Sequence, residues 1–151
     1  MQDKQALDRI VAQFFAAFIS NDRGDTRLES VLHLFLPQAL IVKTCGAIAI
    51  YSLESFIDPR QKILTDGTLL QFEEHEVMEQ TVIFGDIGQR LSVYQKSGVL
   101  AGKPFVERGV KSFQFVKIGL DWKIASLCWD DERQGVAISE NLLKDTMRRG
   151  A

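Results

Sequence analysis

Two runs of alternating apolar and polar residues in the last third of the chain constrain the fold most strongly. They cover residues 105–117 and 122–131 and are separated by a short turn around Gly119. Alternation with a period of two places successive side chains on opposite faces of a β-strand, and a short glycine turn joins antiparallel neighbours. The sequence therefore predicts two long adjacent strands, and the rest of the chain must cover their sheet.

Two further runs with strand character precede this pair. They span residues 70–83 and 89–100, with breaks at Gly85 and between Gly98 and Pro104. Glycine and proline interrupt strands and mark turns. The second half of the chain therefore predicts an antiparallel sheet with four long strands.

The beginning of the chain has helical spacing instead. Apolar residues recur every three or four positions from residue 4 to residue 20, which predicts a long amphipathic helix. A capping-box sequence that begins at Thr26 predicts a second, shorter helix through Leu34, and Pro37 is expected to stop it.

A small hairpin and a third helical region are predicted between these helices and the sheet. Residues 40–43 and 47–51 have strand character, residues 52–57 predict one helical turn, and Asp58-Pro59 begins another helix. Because helices come first and strands afterwards, the predicted class is α+β, with the N-terminal helices packed on one face of a curved antiparallel sheet.

Composition sets the domain count. A chain of 151 residues with 46% hydrophobic content can build one core without disulfides or metals. We expect one domain over residues 1–134 and a C-terminal tail over residues 135–151, with a short helix at residues 139–149. Cys45 and Cys128 are isolated in apolar runs, which favours reduced, buried thiols over a disulfide or a zinc site.

Charge and hydropathy bear on partners and location. A net charge of -2 gives no electrostatic reason to expect nucleic acid or an anionic membrane as a partner. The N-terminus lacks the pattern of a signal peptide, and no apolar run reaches the roughly 20 residues of a membrane span. The sequence therefore predicts a cytoplasmic protein, without a membrane partner.

Several segments carry a family resemblance. They are the sequence Leu-Phe-Leu-Pro at residues 34–37, IFGDIGQRLSVYQ at 83–95, ERGVKSFQFV at 107–116 and DWKIASLCWDDER at 121–133. With the order of helices and strands, they resemble the nuclear transport factor 2-like superfamily, and in particular a group of bacterial members with no established activity. The resemblance covers about residues 6–133. It implies a cone-shaped sheet that wraps a pocket closed by the helices, because this is the superfamily's fold.

The sequence departs from the enzymes of this superfamily at their catalytic positions. Ketosteroid isomerases use a tyrosine on the first helix, where this chain has Phe14, Phe15 and Phe18. They also use an aspartate on the hairpin, which is missing here. A dehydratase similar to scytalone dehydratase would need an Asp/His pair, and neither His33 nor His75 has an evident acid partner. Those mechanisms are therefore not carried over.

Strand parity provides the candidate pocket residues. Residues 105–117 present Arg108, Ser112 and Gln114 among valines on one face, and phenylalanines, Lys111 and Glu107 on the other. Polar groups scattered among valines suit a small-molecule cavity, so Arg108, Ser112 and Gln114 are predicted to line the pocket; a wet dimer interface or a solvent face are the alternatives. Apolar residues on both faces predict two covers, the helices and a second copy, and hence a homodimer.

Glu76 is the predicted catalytic carboxylate. If Glu74, Glu76 and Met78 point inward, Glu76 is placed to act as a general base or to pair with Arg108. A structural ion pair is the alternative. His75 has the opposite parity and is expected at the surface, and His33 is expected to be a partly buried structural residue.

Other candidates come from position along the predicted elements. Tyr94 and Trp129 can turn a polar edge toward a cavity, with core packing as the alternative, whereas Trp122 beside the turn is expected to be structural. Asp131 shares parity with Trp129 and is a candidate for the pocket rim, as are Asp22 and Arg23. Phe14 and Phe18 complete the predicted ligand-binding set.

The sequence leaves two functions open. One is a dimeric, small-molecule-binding cone domain that acts as an isomerase, dehydratase or cyclase without a cofactor or metal, on a small hydrophobic or amphipathic ligand. The other is a non-catalytic ligand-binding or dimerisation module. A catalytic site should hold an acid or base with a shifted pKa inside the cavity, whereas a binding site needs only satisfied polar groups.

Overall fold

A computed structural model describes residues 2–19 and 28–144. Its elements follow the predicted order of helices before strands. They are α1 (Gln2–Ala16), a 3-10 helix (Leu28–Leu34), β1 (Phe35–Lys43), β2 (Ala49–Tyr51), α2 (Leu53–Thr65), β3 (Leu69–Phe84), β4 (Ile87–Leu100), β5 (Lys103–Ile118), β6 (Asp121–Asp131) and a second 3-10 helix (Glu140–Leu143). The predicted α+β class and the four long strands are confirmed.

The strands form one sheet in the order β2-β1-β6-β5-β4-β3. All neighbouring pairs are antiparallel except β1 with β6, which are parallel and depart from the predicted antiparallel sheet. Register shifts interrupt the β1–β6, β3–β4 and β5–β6 pairs. Such bulges bend a sheet and increase its twist, so the sheet can curve around the helices.

Two boundaries differ from the sequence prediction. Helix α2 is continuous, because a capping box between Ser52 and Ser55 starts it at Leu53. The predicted start at Asp58-Pro59 therefore lies inside the helix. Pro37 lies inside β1 and not at the end of a helix. It falls between Phe35 and Leu40, where the register with β6 shifts, and proline is tolerated there because a bulge needs no ladder hydrogen bond.

The core joins the inner face of the sheet to α1 and α2. Phe14 of α1 meets Phe113 of β5 edge to face, with ring centroids 5.5 Å apart. Phe56 of α2 lies 5.7 Å from Trp129 of β6 and 5.9 Å from Phe18. These aromatic contacts hold both helices against the same side of the sheet.

The C-terminal segment folds back over the outer face. The Ile138 amide donates to Glu132 Oε2 at 3.0 Å, and the Gln80 amide nitrogen donates to the Asn141 carbonyl at 2.6 Å. The second 3-10 helix contacts β3 and β4 there, and Val93 on the outer side of β4 is only 1% exposed. The helix predicted at residues 139–149 can be compared with the structure only as far as residue 144, because residues 145–149 lie outside the described residues.

Two other expectations concern thiols and membrane spans. Cys45 is half-buried and Cys128 is exposed on the outer face; both are free, so the expectation of a buried thiol is wrong for Cys128. Within residues 2–19 and 28–144, no helix is both long and apolar enough to cross a membrane.

Candidate functional site

A cavity of about 380 Å³ lies between the inner face of the sheet and helices α1 and α2. Its walls are mainly aromatic and aliphatic. The apolar residues that line it include Phe14, Phe18, Phe56, Ile63, Leu69, Phe72, Phe105, Leu127 and Trp129. Such a volume and lining are typical of small-molecule sites when a few polar groups converge on them.

A buried ion pair lies in the lining of this cavity. Lys111 Nζ on β5 donates to Glu74 Oε2 on β3 at 3.0 Å, and the two side chains are only 6% and 7% exposed. The ammonium group also lies 3.9 Å from the centroid of the Tyr94 ring and 5.4 Å from that of Trp129. Burial lowers the pKa of Lys111, although the charge of Glu74 opposes this shift.

A glycine allows the Tyr94 ring to lie against the Lys111 ammonium group. Tyr94 on β4 is opposite Gly109 on β5, and a Cβ atom at Gly109 would come within 2.2 Å of the Tyr94 hydroxyl. The tyrosine ring therefore packs flat over the β5 backbone, where it supports the Lys111 ammonium group. Any residue larger than glycine at position 109 would displace it.

A second polar cluster extends from Tyr94 to the rim. The Tyr94 hydroxyl donates to the Asp131 carboxylate, and Lys96 Nζ lies 3.1 and 3.2 Å from the two Asp131 oxygens. Burial opposes ionisation, but the hydrogen bond from Tyr94 and the charge of Lys96 hold the pKa of Asp131 below its ordinary value. Burial and the contact with Asp131 raise the pKa of Tyr94. The Asp131 carboxylate is therefore ionised and the phenol is neutral near pH 7.

Two cations of the lining have no carboxylate partner among the described residues. The guanidinium carbon of Arg60 lies 4.3, 5.0 and 5.4 Å from the rings of Phe56, Tyr51 and Trp129, and its Nη1 donates to the Phe56 carbonyl. Lys43 also lines the cavity. The cationic lining residues are Lys43, Arg60, Lys96 and Lys111, against the acidic residues Glu74, Glu107 and Asp131. The lining therefore carries an excess of positive charge.

The structure places several predicted site residues at this cavity. Phe14, Phe18, Trp129 and Asp131 line it. Tyr94 is fully buried directly behind the Lys111 ammonium group. Trp122 lies away from the cavity, where its indole nitrogen donates to Asp3 Oδ1 at 3.0 Å, so its structural assignment is confirmed.

The predicted parity of β5 is reversed. Lys111, Phe113 and Phe115 are the residues buried on the inner face, so Ser112 and Gln114 lie on the outer face. Arg108 has the same parity and pairs with Glu132, with its Nη2 at 3.2 Å from Glu132 Oε1, and not with Glu76. The aromatic residues decide the side, because burying two phenylalanines under α1 outweighs the burial of one lysine whose charge Glu74 neutralises.

Glu76 also lies outside this cavity. It accepts from Arg90 Nε at 3.1 Å and from the Ser92 hydroxyl at 2.6 Å, in a separate depression of about 540 Å³ between α1 and β3. Arg90 is also bonded to Asp8 of α1 at 2.6 Å. The carboxylate predicted to serve the cavity is thus engaged in a link between helix and sheet. Glu74, two residues earlier, lines both the cavity and this depression.

The remaining predicted residues do not contribute to the cavity. His75 is exposed at the depression beside Glu76, and His33 is exposed rather than partly buried. Asp22 and Arg23 lie outside the described residues. Within the part of the chain that the structure describes, no group of three or more His, Cys, Asp or Glu side chains is placed to hold a metal ion.

Sequence reasoning missed Glu74, Lys96, Lys111 and Arg60 as site residues. One signal was available for Lys111, since it shares strand parity with Phe113 and Phe115. A lysine on the aromatic face of a strand requires a buried anion or a ring to accept it. No local pattern identifies Glu74 as that anion, because the two residues are 37 positions apart.

Comparisons with known proteins define the fold. No protein-family model matches the sequence, and no curated protein matches it either. Solved structures do match. A type 2 hexachlorocyclohexane dehydrochlorinase superposes with a TM-score of 0.71 at 12% identity, over 91% of this chain and 93% of its own. The chain has the nuclear transport factor 2-like, or cystatin-like, fold.

Two bacterial structures illustrate how widely this fold is shared. A nuclear transport factor 2-like protein from Novosphingobium aromaticivorans has a TM-score of 0.68 at 15% identity, over 95% of this chain and 90% of its own. An uncharacterised protein with a cystatin-like fold from Caulobacter vibrioides has a TM-score of 0.69 at 12% identity, over 99% of both chains. At these identities the similarity concerns the fold, and function must be inferred from the site.

Proposed function

We propose that this protein binds a small, mainly apolar molecule with an anionic or strongly polar head group in the cavity between the sheet and the two helices. The Lys111–Glu74 pair carries this proposal. Placing two charges in an aromatic cavity is costly, and a hydrophobic pair would stabilise the fold as well or better. Because burial of the Lys111–Glu74 pair costs free energy and the pair faces a cavity, ligand binding best explains its presence there.

The charge of the lining supports an anionic head group. Glu74 and Asp131 are each neutralised by a lysine, and Arg60 and Lys43 supply positive charge without a carboxylate partner among the described residues. An aromatic carboxylate would place its ring against Phe18, Phe56 and Trp129. Its carboxylate would lie near Lys111, Arg60 and Lys43, which all line the cavity. A hydrogen bond to a charged group contributes about 1.5–3 kcal/mol, which corresponds to roughly tenfold or more in affinity.

A cofactor-independent acid–base reaction is the second candidate, and one observation favours it. Lys111 and Glu74 form a proton donor and acceptor 3.0 Å apart, with one N–O hydrogen bond between them. This pair replaces Glu76 as the acid–base group of an isomerase-, dehydratase- or cyclase-type reaction. A non-catalytic binding module would use the same cavity without turnover.

A matched pair of compounds tests the binding proposal. We expect calorimetry to show saturable 1:1 binding of 2-naphthoate, with 2-naphthylmethanol binding at least about tenfold more weakly because it lacks the charge. Ile63→Trp fills the cavity from α2 and should abolish binding. Leu120→Trp, at a turn residue that is 91% exposed, is the control and should bind normally. Equal binding by both variants would contradict the proposal.

We further propose that the protein is a cytoplasmic homodimer. Its outer sheet face carries exposed apolar side chains at one end, where Val82, Phe84 and Ile87 are 71%, 82% and 58% exposed. A second copy would remove this surface from water. Sedimentation should show a dimer that Phe84→Ser with Ile87→Ser converts to a monomer; a monomeric wild-type protein would contradict this part.

A further inference from the structure

We infer that Lys111 is a nucleophilic amine that forms an imine with an aldehyde or ketone bound in the cavity, with Glu74 as the group that accepts and returns the protons. This inference rests on the proposed binding function and adds a substrate class, the carbonyl compounds. The observations that carry it are the position of Nζ, its single acid partner and the surface around it.

The position of the ammonium group suits this chemistry. Lys111 is almost completely buried, yet it belongs to the cavity lining, so its nitrogen can meet a bound molecule among mainly apolar walls. Lysines become nucleophilic when a hydrophobic pocket removes their hydration, and burial lowers the pKa of this one. Exclusion of water also protects an imine from hydrolysis.

The surroundings leave the nitrogen room to react. Within residues 2–19 and 28–144, its carboxylate contact is Glu74 alone at 3.0 Å. The Tyr94 ring lies at 3.9 Å, and the rings of Trp129 and Phe15 are farther away at 5.4 and 5.7 Å. Tyr94 does not compete as a donor or acceptor, because its hydroxyl is engaged by Asp131. A carbonyl group of a ligand held between the aromatic walls can therefore approach the nitrogen from the cavity.

The steps balance with these two residues alone. Lys111 transfers a proton to Glu74, and the neutral amine attacks the carbonyl carbon, so an N–C bond forms as the C=O π bond opens. The carbonyl oxygen takes the proton back from Glu74, and the nitrogen then gives Glu74 a second proton. This proton leaves with the oxygen as water, and the products are a protonated imine, ionised Glu74 and one water molecule.

The probe is 2-naphthaldehyde, which has the same naphthalene ring as the compounds of the binding test. The native protein is incubated with 2-naphthaldehyde and sodium cyanoborohydride, which reduces the C=N bond and fixes the adduct as a secondary amine. Peptide mapping by mass spectrometry then locates the naphthylmethyl group. We expect modification at Lys111 several-fold faster than at Lys96, which lines the same cavity, and faster than at the exposed Lys62 and Lys103.

Three controls make the outcome decisive. Protein unfolded in urea should lose the preference for Lys111, and excess 2-naphthoate should suppress labelling of Lys111 but not of Lys62. Lys111→Arg removes the primary amine and should give no adduct at position 111, while labelling of Lys62 continues. Labelling spread over exposed lysines, with Lys111 unmodified while 2-naphthoate still binds, would overturn this inference and leave the binding proposal standing. Failure of both compounds to bind would overturn both.

Discussion

Two buried ion clusters in the described part of the chain, one around Arg90 and one around Lys111, differ in what surrounds them. Arg90 and Lys111 are almost equally buried, with side chains 3% and 6% exposed, and each pairs with a glutamate of β3. Arg90 is bonded to Glu76 and Asp8 and lies 3.9 Å from Glu79, so its guanidinium group joins α1 to the sheet. Among the described residues, Lys111 contacts the carboxylate of Glu74 alone and lies beside the rings of Tyr94 and Trp129, and it lines a cavity.

This difference separates a structural cluster from a site that can react. The Arg90 guanidinium group is bonded to Glu76, Asp8 and Thr81, so it links α1 to the sheet and has few donors left for a ligand. The Lys111 ammonium group pairs with Glu74 in a cavity with aromatic walls, so a ligand in the cavity can still reach its nitrogen. Glu74 and Glu76 are only two residues apart, so the distinction comes from the neighbours and not from the residue type.

The largest expected effect on the free energy of unfolding is at the ion cluster around Arg90. Arg90→Met leaves the carboxylates of Glu76, Glu79 and Asp8 close together without their central counter-charge. We expect a loss of about 3–5 kcal/mol in the free energy of unfolding, the usual cost of breaking a buried pair from one side. Urea unfolding measures it, with Arg108→Met at the outer Arg108–Glu132 pair as the matched control. Similar losses in both variants would contradict a special role for Arg90.

The next largest effect on stability distinguishes the Lys111–Glu74 pair from the ion cluster around Arg90. Lys111→Met alone should cost about 3 kcal/mol, because it leaves the Glu74 carboxyl group buried without its partner. The double variant Lys111→Met with Glu74→Leu should recover most of this loss and unfold within about 1 kcal/mol of the wild type, since an apolar pair of similar size fits an apolar site. A double variant that is as unstable as the single one would show that the pair serves the fold.

A smaller effect is expected at the support of the cavity pair. Gly109→Ala places a methyl group against the Tyr94 hydroxyl and the Asp130 carbonyl, at 2.2 and 2.4 Å without relaxation. We expect a loss of about 1–3 kcal/mol, typical of overpacking, and a changed near-ultraviolet signal as Tyr94 moves. Gly88→Ala is the control, because its nearest contact is the end of the Leu7 side chain at 3.2 Å. An unchanged Gly109→Ala protein would contradict the close packing of Tyr94.

The smallest effect concerns pH. The pKa values of Asp8, Glu79 and Asp131 are lowered in the fold by the cations and hydrogen-bond donors around them, against the opposing effect of burial. The unfolded chain therefore binds more protons in acid, so stability present above the ordinary carboxyl pKa of about 4 is lost as the pH falls through the lowered values. In Asp131→Asn, the free energy of unfolding should fall less steeply between about pH 5 and pH 3 than in the wild type, as measured by urea unfolding at each pH. An equally steep or steeper fall would contradict this prediction.

Much of the fold can be predicted from the sequence because it depends on long periodic patterns. The alternation in residues 70–131 identifies all four long strands, and the apolar spacing of α1 identifies its buried face. The site is harder to predict, because one decision about the parity of β5 places Arg108, Ser112 and Gln114 together on one face or the other. Lys111 looks like a solvent-facing residue until Glu74 and the Tyr94 ring are found beside it.

The glutamates of β3 show why the rest could not be predicted. Register shifts on both sides of Glu74, between Leu70 and Glu73 and between Glu76 and Met78, interrupt simple alternation along this strand. Gln71 adopts a positive φ of 52° within the first of them. Residue type and spacing alone therefore do not say which glutamate meets Arg90 and which meets Lys111.

Binding of 2-naphthoate to the Lys111→Met, Glu74→Leu double variant tests the central distinction most directly. The protein should remain folded, with an unfolding free energy close to that of the wild type, and calorimetry should show that its affinity for 2-naphthoate is at least tenfold weaker, a difference of about 1.4 kcal/mol. A double variant that binds 2-naphthoate as tightly as the wild type would show that the cavity pair has no part in recognition.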